Sequence, residues 1–190
     1  MSFGGIDFQL IKNVLRMFKA KNRIHIALYM LGIVSLFTFP ATAQDPSPLL
    51  KTARQEMPGA FKNEAESIAL YNKIHNAPNP EPLLKGYIGA VNIARARHAP
   101  LMDKRGYLKT GITLLEEAIK EKPNNTELLF LRLTIQSKLP SFLGYNDNIE
   151  ADKKFVLANF STTPSPLKER IARFILKSDD FTEAEKAMVK

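Results

Sequence analysis

The chain has 190 residues, 45% of them hydrophobic and 24% charged, an ordinary globular balance with room for one domain or a small pair. It contains neither cysteine nor tryptophan, which excludes disulfides, cysteine nucleophiles, zinc–thiolate sites and a lipid-modified cysteine. The formal charge of +8 invites a nucleic-acid reading, but Lys12, Arg16, Lys19, Lys21 and Arg23 stand against Asp7 alone in residues 1–43, so half of the excess lies there and only +4 is spread over residues 44–190.

Lys19, Lys21 and Arg23 form a positive region, and Ile24–Phe39 follows as an apolar run with no Asp, Glu, Lys or Arg. Pro40 then breaks the run, and Ala41-Thr42-Ala43 offers the small side chains that a signal peptidase requires. These three parts, in this order, predict a cleavable export signal over residues 1–43 and a mature chain starting near Gln44. The rival reading is an uncleaved membrane anchor. The apolar run has 16 residues, short of the roughly 20 that a spanning helix prefers, and no positive cluster follows it. No Arg-Arg pair marks the twin-arginine route. Translation from Met17 gives a signal of more typical length; a long amino-terminal region from Met1 is the alternative. An exported chain without cysteine reads as a bacterial envelope protein, periplasmic or secreted, soluble after cleavage and touching the membrane only through the transient signal.

From residue 45 onward the apolar spacing is helical, with no alternating strand pattern. Helices are predicted over Pro48–Met57, ended by Pro58-Gly59; Phe61–His75, with Ala65, Ile68, Ala69 and Tyr71 inward; and Glu81–His98, with Leu84, Tyr87, Ile88, Val91 and Ala94 inward. Residues 99–106 read as a linker. Tyr107–Lys122 is the fourth helix. Thr126–Leu139, capped by Asn125 and apolar on more than one side, is the central one. After a loop come Asp147–Phe160, a helix capped by Ser165 that runs to Lys177, and a short last helix opened by the Thr182/Glu185 capping box. The expected fold class is all-α, stacked antiparallel helical hairpins in a single domain over residues 44–190.

Gly111, Leu115, Ala118 and Pro123 place a small, a bulky and a small residue on one helix face before a closing proline; Ala151, Phe155 and Ala158 with Pro164 repeat the pattern. This spacing resembles the second helix of a tetratricopeptide repeat, in which small residues let paired helices approach and the large one fills the groove. Tyr87 and Ala90 are the corresponding first-helix candidates. The resemblance is degenerate and spans about residues 80–164, and it implies a concave surface that holds a peptide or protein. The stretch Phe130–Lys154 also resembles a segment from a family of small exported bacterial proteins of unknown function, which implies secretion and a helical fold but no activity.

Chemistry-bearing constellations are sparse. His75 and His98 end helices and have no metal-like spacing. No serine sits in a G-x-S-x-G, no phosphate-binding glycine loop occurs, and Glu116-Glu117 point apart on a helix. Asn146, Asn148 and Glu150 alternate oxygens as a calcium loop would, but the turn glycine and the distal Glu are missing; Asn146 or Asp147 as a helix N-cap accounts for them. No cofactor or metal is implied. Arg95, Arg97 and His98, with Lys104 and Arg105, form the densest basic patch: either cations complementing a helix end, or a site for an anionic envelope lipid or glycan. Nucleic acid is not expected without stacking motifs. The loop Leu139–Tyr145 holds Phe142, Leu143 and Tyr145, which either plug the end of a core or form a partner-binding patch.

The expectation is therefore a non-enzymatic protein-interaction or scaffold module with Tyr87, Arg95, Arg97, Phe142 and Tyr145 as partner-contacting residues. The alternatives are a binder of an anionic lipid or glycan, and an envelope enzyme with dispersed catalytic residues. Mass spectrometry of the exported protein should find its N-terminus near Gln44, and a precursor peptide covering Gly4 to Lys12 would exclude the Met17 start.

Overall fold

A computed structural model of the chain describes residues 47–190. The predicted export signal, its cleavage site and the alternative start lie outside the described residues. These form eight α-helices and no strand: α1 (Pro48–Ala60), α2 (Glu64–Ile74), α3 (Pro82–His98), α4 (Leu101–Glu121), α5 (Thr126–Gln136), α6 (Ile149–Asn159), α7 (Leu167–Lys177) and α8 (Glu183–Ala187), with a 3-10 turn at Ser141–Leu143. The described residues are all-α, as their periodicity requires. Among the described residues no helix is long and apolar enough to cross a membrane.

The capping chemistry is local, and the expected caps at Asn125 and Thr182 form, joined by one at Asn63. Asn63 and Asn125 accept hydrogen bonds from the backbone N–H of Glu66 and Leu128, and Thr182 with Glu185 closes a reciprocal capping box. Ser165 does not cap α7, which starts at Leu167 behind Pro166 with no side-chain cap bond, and α2 and α5 are each shorter than expected, starting at Glu64 and ending at Gln136. Three further boundaries differ for clear physical reasons. First, α1 runs through Pro58 to Ala60, because a proline in the last turn removes only one ladder bond and Lys62 N–H closes the end on the Gly59 carbonyl. Second, the predicted linker over 99–106 is helical from Leu101: only Pro100 interrupts, and Gly106 points into open space where it costs the helix little. Third, α6 starts at Ile149 behind Asn148, whose side chain makes no cap bond, so neither Asn146 nor Asp147 is the cap.

Consecutive helices pack as pairs: α1 on α2, α3 on α4, α5 on α6, α7 on α8. The first members also touch in succession, α1 to α3, α3 to α5 and α5 to α7. Two apolar cores result, and α5 belongs to both. Leu128, Leu129, Leu131 and Ile135 pack into the larger core with α1–α4, while Phe130 and Leu133 face the smaller one with Val156, Ile171 and Ile175. Phe130, Phe174 and Phe181 meet edge to face there, at ring centroid distances of 5.6 and 6.0 Å.

The α3–α4 contact is the most extensive, and glycines permit it. A Cβ on Gly111 would lie 2.6 Å from the Gly89 carbonyl oxygen and 2.9 Å from the Ile93 nitrogen, so the two backbones approach as closely as the chain allows. Gly111, Leu115 and Ala118 are all buried along this face. Tyr87 does not join it but turns toward α5. On α6 the expected small residues Ala151 and Ala158 are exposed; pairing of Asp152 with Arg132 draws the neighbouring face inward instead. On α2 the inward set is Ser67, Leu70 and Ile74 rather than Ala65, Ile68 and Ala69. Ser67 can be buried because its hydroxyl donates to the Glu64 carbonyl at 2.7 Å, which a reading by apolarity overlooks.

Gly111→Ala should cost about 1–3 kcal/mol in urea denaturation through overpacking against backbone, whereas Gly106→Ala on the same helix should be neutral or stabilise by up to ~1 kcal/mol.

Candidate functional site

Two polar nodes and one cleft hold the chemistry-bearing side chains. The first node centres on Glu127, in the opening turn of α5 and buried. Arg54 of α1 donates to it through Nε at 2.9 Å and Nη2 at 2.6 Å, the Tyr87 hydroxyl of α3 donates at 2.8 Å, and Arg170 of α7 donates through Nη2 at 2.6 Å. Arg170 Nη1 also donates to the Tyr87 oxygen at 3.0 Å. Burial alone would raise the Glu127 pKa; the hydrogen bonds from Arg54, Tyr87 and Arg170 outweigh it and hold the carboxyl below its ordinary value. Burial and the adjacent carboxylate push the Tyr87 phenol up, so it stays neutral and donates.

In the second node Arg132 grips Asp152 with Nε and Nη2, both at 2.8 Å, and donates from Nη1 to Glu116 at 2.9 Å. Tyr145 donates to the other Glu116 oxygen at 2.5 Å, and its phenol is pushed up by burial and by Glu116. Every carboxylate in the two nodes is committed to an arginine. They join helices and are not poised to exchange protons. Glu117 points away into solvent.

The five residues expected to contact a partner are dispersed. Tyr87 is 2% exposed inside the first node, and Tyr145 is turned inward to Glu116. Arg95 is clamped between the rings of Tyr71 and Tyr107, 3.9 and 4.1 Å from their centroids. Arg97, two residues on and so on another side of α3, faces the cleft instead. Phe142 is 84% exposed at the cleft rather than plugging a core, because it is the middle residue of a 3-10 turn none of whose residues is buried. Only Arg97 and Phe142 share a site. The signal that would have found the remainder was in the supposed linker: Leu101, Arg105, Leu108 and Ile112 recur at four, three and four residues, and all line the cleft.

This cleft lies between α3, the N-terminal half of α4, the end of α5 and the loop after it, with a volume of about 1000 Å³. Its floor is the buried Ile93, Ala96 and Ile135 with the half-buried Leu108 and Ile112; its rim is the exposed Arg97, Lys104, Arg105, Lys109 and Lys138. No acidic residue lines it. Apolar walls weaken screening, so five like charges around one mouth set a concentrated positive potential there. Among the described residues no group of three or more histidines and carboxylates is placed to hold a metal ion. His75 stacks on Tyr71 at 4.3 Å. No family model, curated protein or solved structure matches the chain.

Glu127→Gln leaves two guanidiniums facing a neutral amide and should cost about 3 kcal/mol at pH 7, the low end for a broken buried pair because both arginines keep some solvent contact. Since the folded carboxyl titrates below its unfolded value of 4.5, its contribution is present above that pH and lost as pH falls through the folded pKa. Urea titrations at descending pH should therefore show the parent losing more stability below about pH 4.5 than Glu127→Gln does.

Proposed function

We propose that this chain is an exported, non-enzymatic binding module of the bacterial envelope, released near Gln44 and built as four helical hairpins stacked in the tetratricopeptide manner. The stacking is supported by the pairing of consecutive helices and by the succession of first helices α1, α3, α5 and α7. The small–bulky–small signature supports it on α4, where Gly111 meets Gly89. Export is supported by the tripartite N-terminal sequence. A non-enzymatic role is supported by the pairing of Glu116, Glu127 and Asp152 with arginines, which leaves no general base among them.

The observation that carries the binding role is the basic-rimmed apolar cleft. An apolar floor takes an apolar group, and a rim of one sign selects an anionic one. A peptide with acidic margins and an anionic lipid both meet that description, and both place the ligand beside Arg97 and Phe142.

Anilinonaphthalene sulfonate, apolar and anionic, should bind saturably to the purified protein, and binding should weaken as salt is raised. Phe142→Asp should weaken it about tenfold, the scale of one lost aromatic contact plus a repulsive charge. Dye binding that is indifferent to both salt and Phe142→Asp would place the dye elsewhere and remove the case for the cleft.

A further inference from the structure

The surroundings of the cleft single out one class of ligand. On the first turn of α4, Leu101 is 84% exposed and Met102 90%; across the mouth Phe142 is 84% exposed. These are the most exposed large apolar side chains among the described residues. Leu101 and Phe142 line the cleft at its lip, and Met102, beside Leu101, lies outside it; Lys104 and Arg105 follow within one turn. From Leu101 to Gly106 every residue of α4 is exposed, so this first stretch of the helix carries no side chain into either core.

A peptide seated in the cleft would leave Met102 in water. A membrane surface would cover the lip and the cations together, since apolar side chains enter the boundary between headgroups and acyl chains while lysines and arginines meet anionic headgroups. The cleft is walled by helices and by the loop after α5 with its 3-10 turn, none of them a strand, so an extended peptide finds no sheet edge to add to. An acyl chain needs no such edge. At about 1000 Å³ the cleft is at the upper end of small-ligand cavities.

We propose that the module docks on anionic bilayers through Leu101, Met102 and Phe142 and holds a single anionic phospholipid, one acyl chain between Ile93 and Ile112 and the headgroup phosphate among Arg97, Lys104 and Arg105. This rests on the reading of the cleft as the binding site. Charge complementarity sets the class. Residues 1–43 of this chain are also apolar, but they carry +4 and are repelled by the same rim that attracts phosphate.

The protein in its exported form, beginning near Gln44 and so free of the basic, apolar residues 1–43, would be sedimented with vesicles of phosphatidylcholine, with and without phosphatidylglycerol, and the protein recovered from them weighed by native mass spectrometry. Sedimentation only with phosphatidylglycerol and one retained phospholipid per chain is the expected result. Replacing both Lys104 and Arg105 by Gln should weaken vesicle binding roughly 25-fold, about fivefold per cation. Leu101→Ser, Met102→Ser and Phe142→Ser together should weaken it about tenfold or more; all three sites are exposed, so the fold is not at stake. Lys120→Gln with Lys122→Gln removes the same charge elsewhere and should leave binding unchanged. Equal binding to both vesicles, or an equal loss in the Lys120/Lys122 control, would overturn the proposal. Dye bound in the cleft with no phospholipid retained would also overturn it while leaving the cleft a binding site, with an acidic amphipathic peptide as occupant. Failure of both dye and lipid would remove the binding reading itself.

Discussion

The arrangement of the helices depends on one buried carboxylate. Glu127 sits where the opening turn of α5 already favours negative charge, and it receives donors from α1, α3 and α7. Arg54 lies 73 residues before it and Arg170 43 after it, so the node ties together segments that share little direct packing. A carboxylate in that position is costly to desolvate, and only its full set of donors offsets the cost. The geometry is thereby narrow: a helix displaced by one turn would leave a charge unpaired, whereas a displaced leucine would find another apolar contact.

The same helix carries the second node five residues on, where Arg132 joins Asp152 and Glu116. With Leu128, Leu131 and Ile135 on one side and Phe130 and Leu133 on the other, α5 is buried nearly all round and belongs to both cores. Polar nodes and apolar cores therefore meet on one eleven-residue element, and a fault in α5 would reach both halves of the fold.

The cleft is a by-product of how α4 is held. Its C-terminal half is locked to α3 where Gly89 and Gly111 bring the backbones together. Its first stretch, from Leu101 to Gly106, is exposed at every residue, with cations and apolar side chains displayed, before Tyr107 and Leu108 turn partly inward. Large apolar residues at 84–90% exposure gain nothing from folding. Their presence around a mouth with no acidic lining is what links the packing of two glycines to a binding role.

The sequence by itself determined the helical class, several boundaries, the caps at Asn125 and Thr182, and the central place of α5, because these follow from side-chain periodicity and from hydrogen bonds spanning three or four residues. It also determined that Gly111, Leu115 and Ala118 face a partner helix, but not that α3 is buried on nearly all sides, Gly86, Gly89, Asn92 and Ile93 included. The long-range pairings were not legible: nothing local to Tyr87 or Tyr145 marks them as donors to Glu127 and Glu116, 40 and 29 residues away. Ser67 is absent from the inward set that apolar spacing predicts for α2, yet it is buried because its hydroxyl is satisfied by its own helix. Arg95 and Arg97 read as one patch, although helical geometry sends them to different sides, and aromatic rings from two other segments capture the first. Tertiary structure alone decided these, since it alone brings residues distant in sequence within hydrogen-bonding or stacking range, and it thereby chose which cations remain free around the cleft.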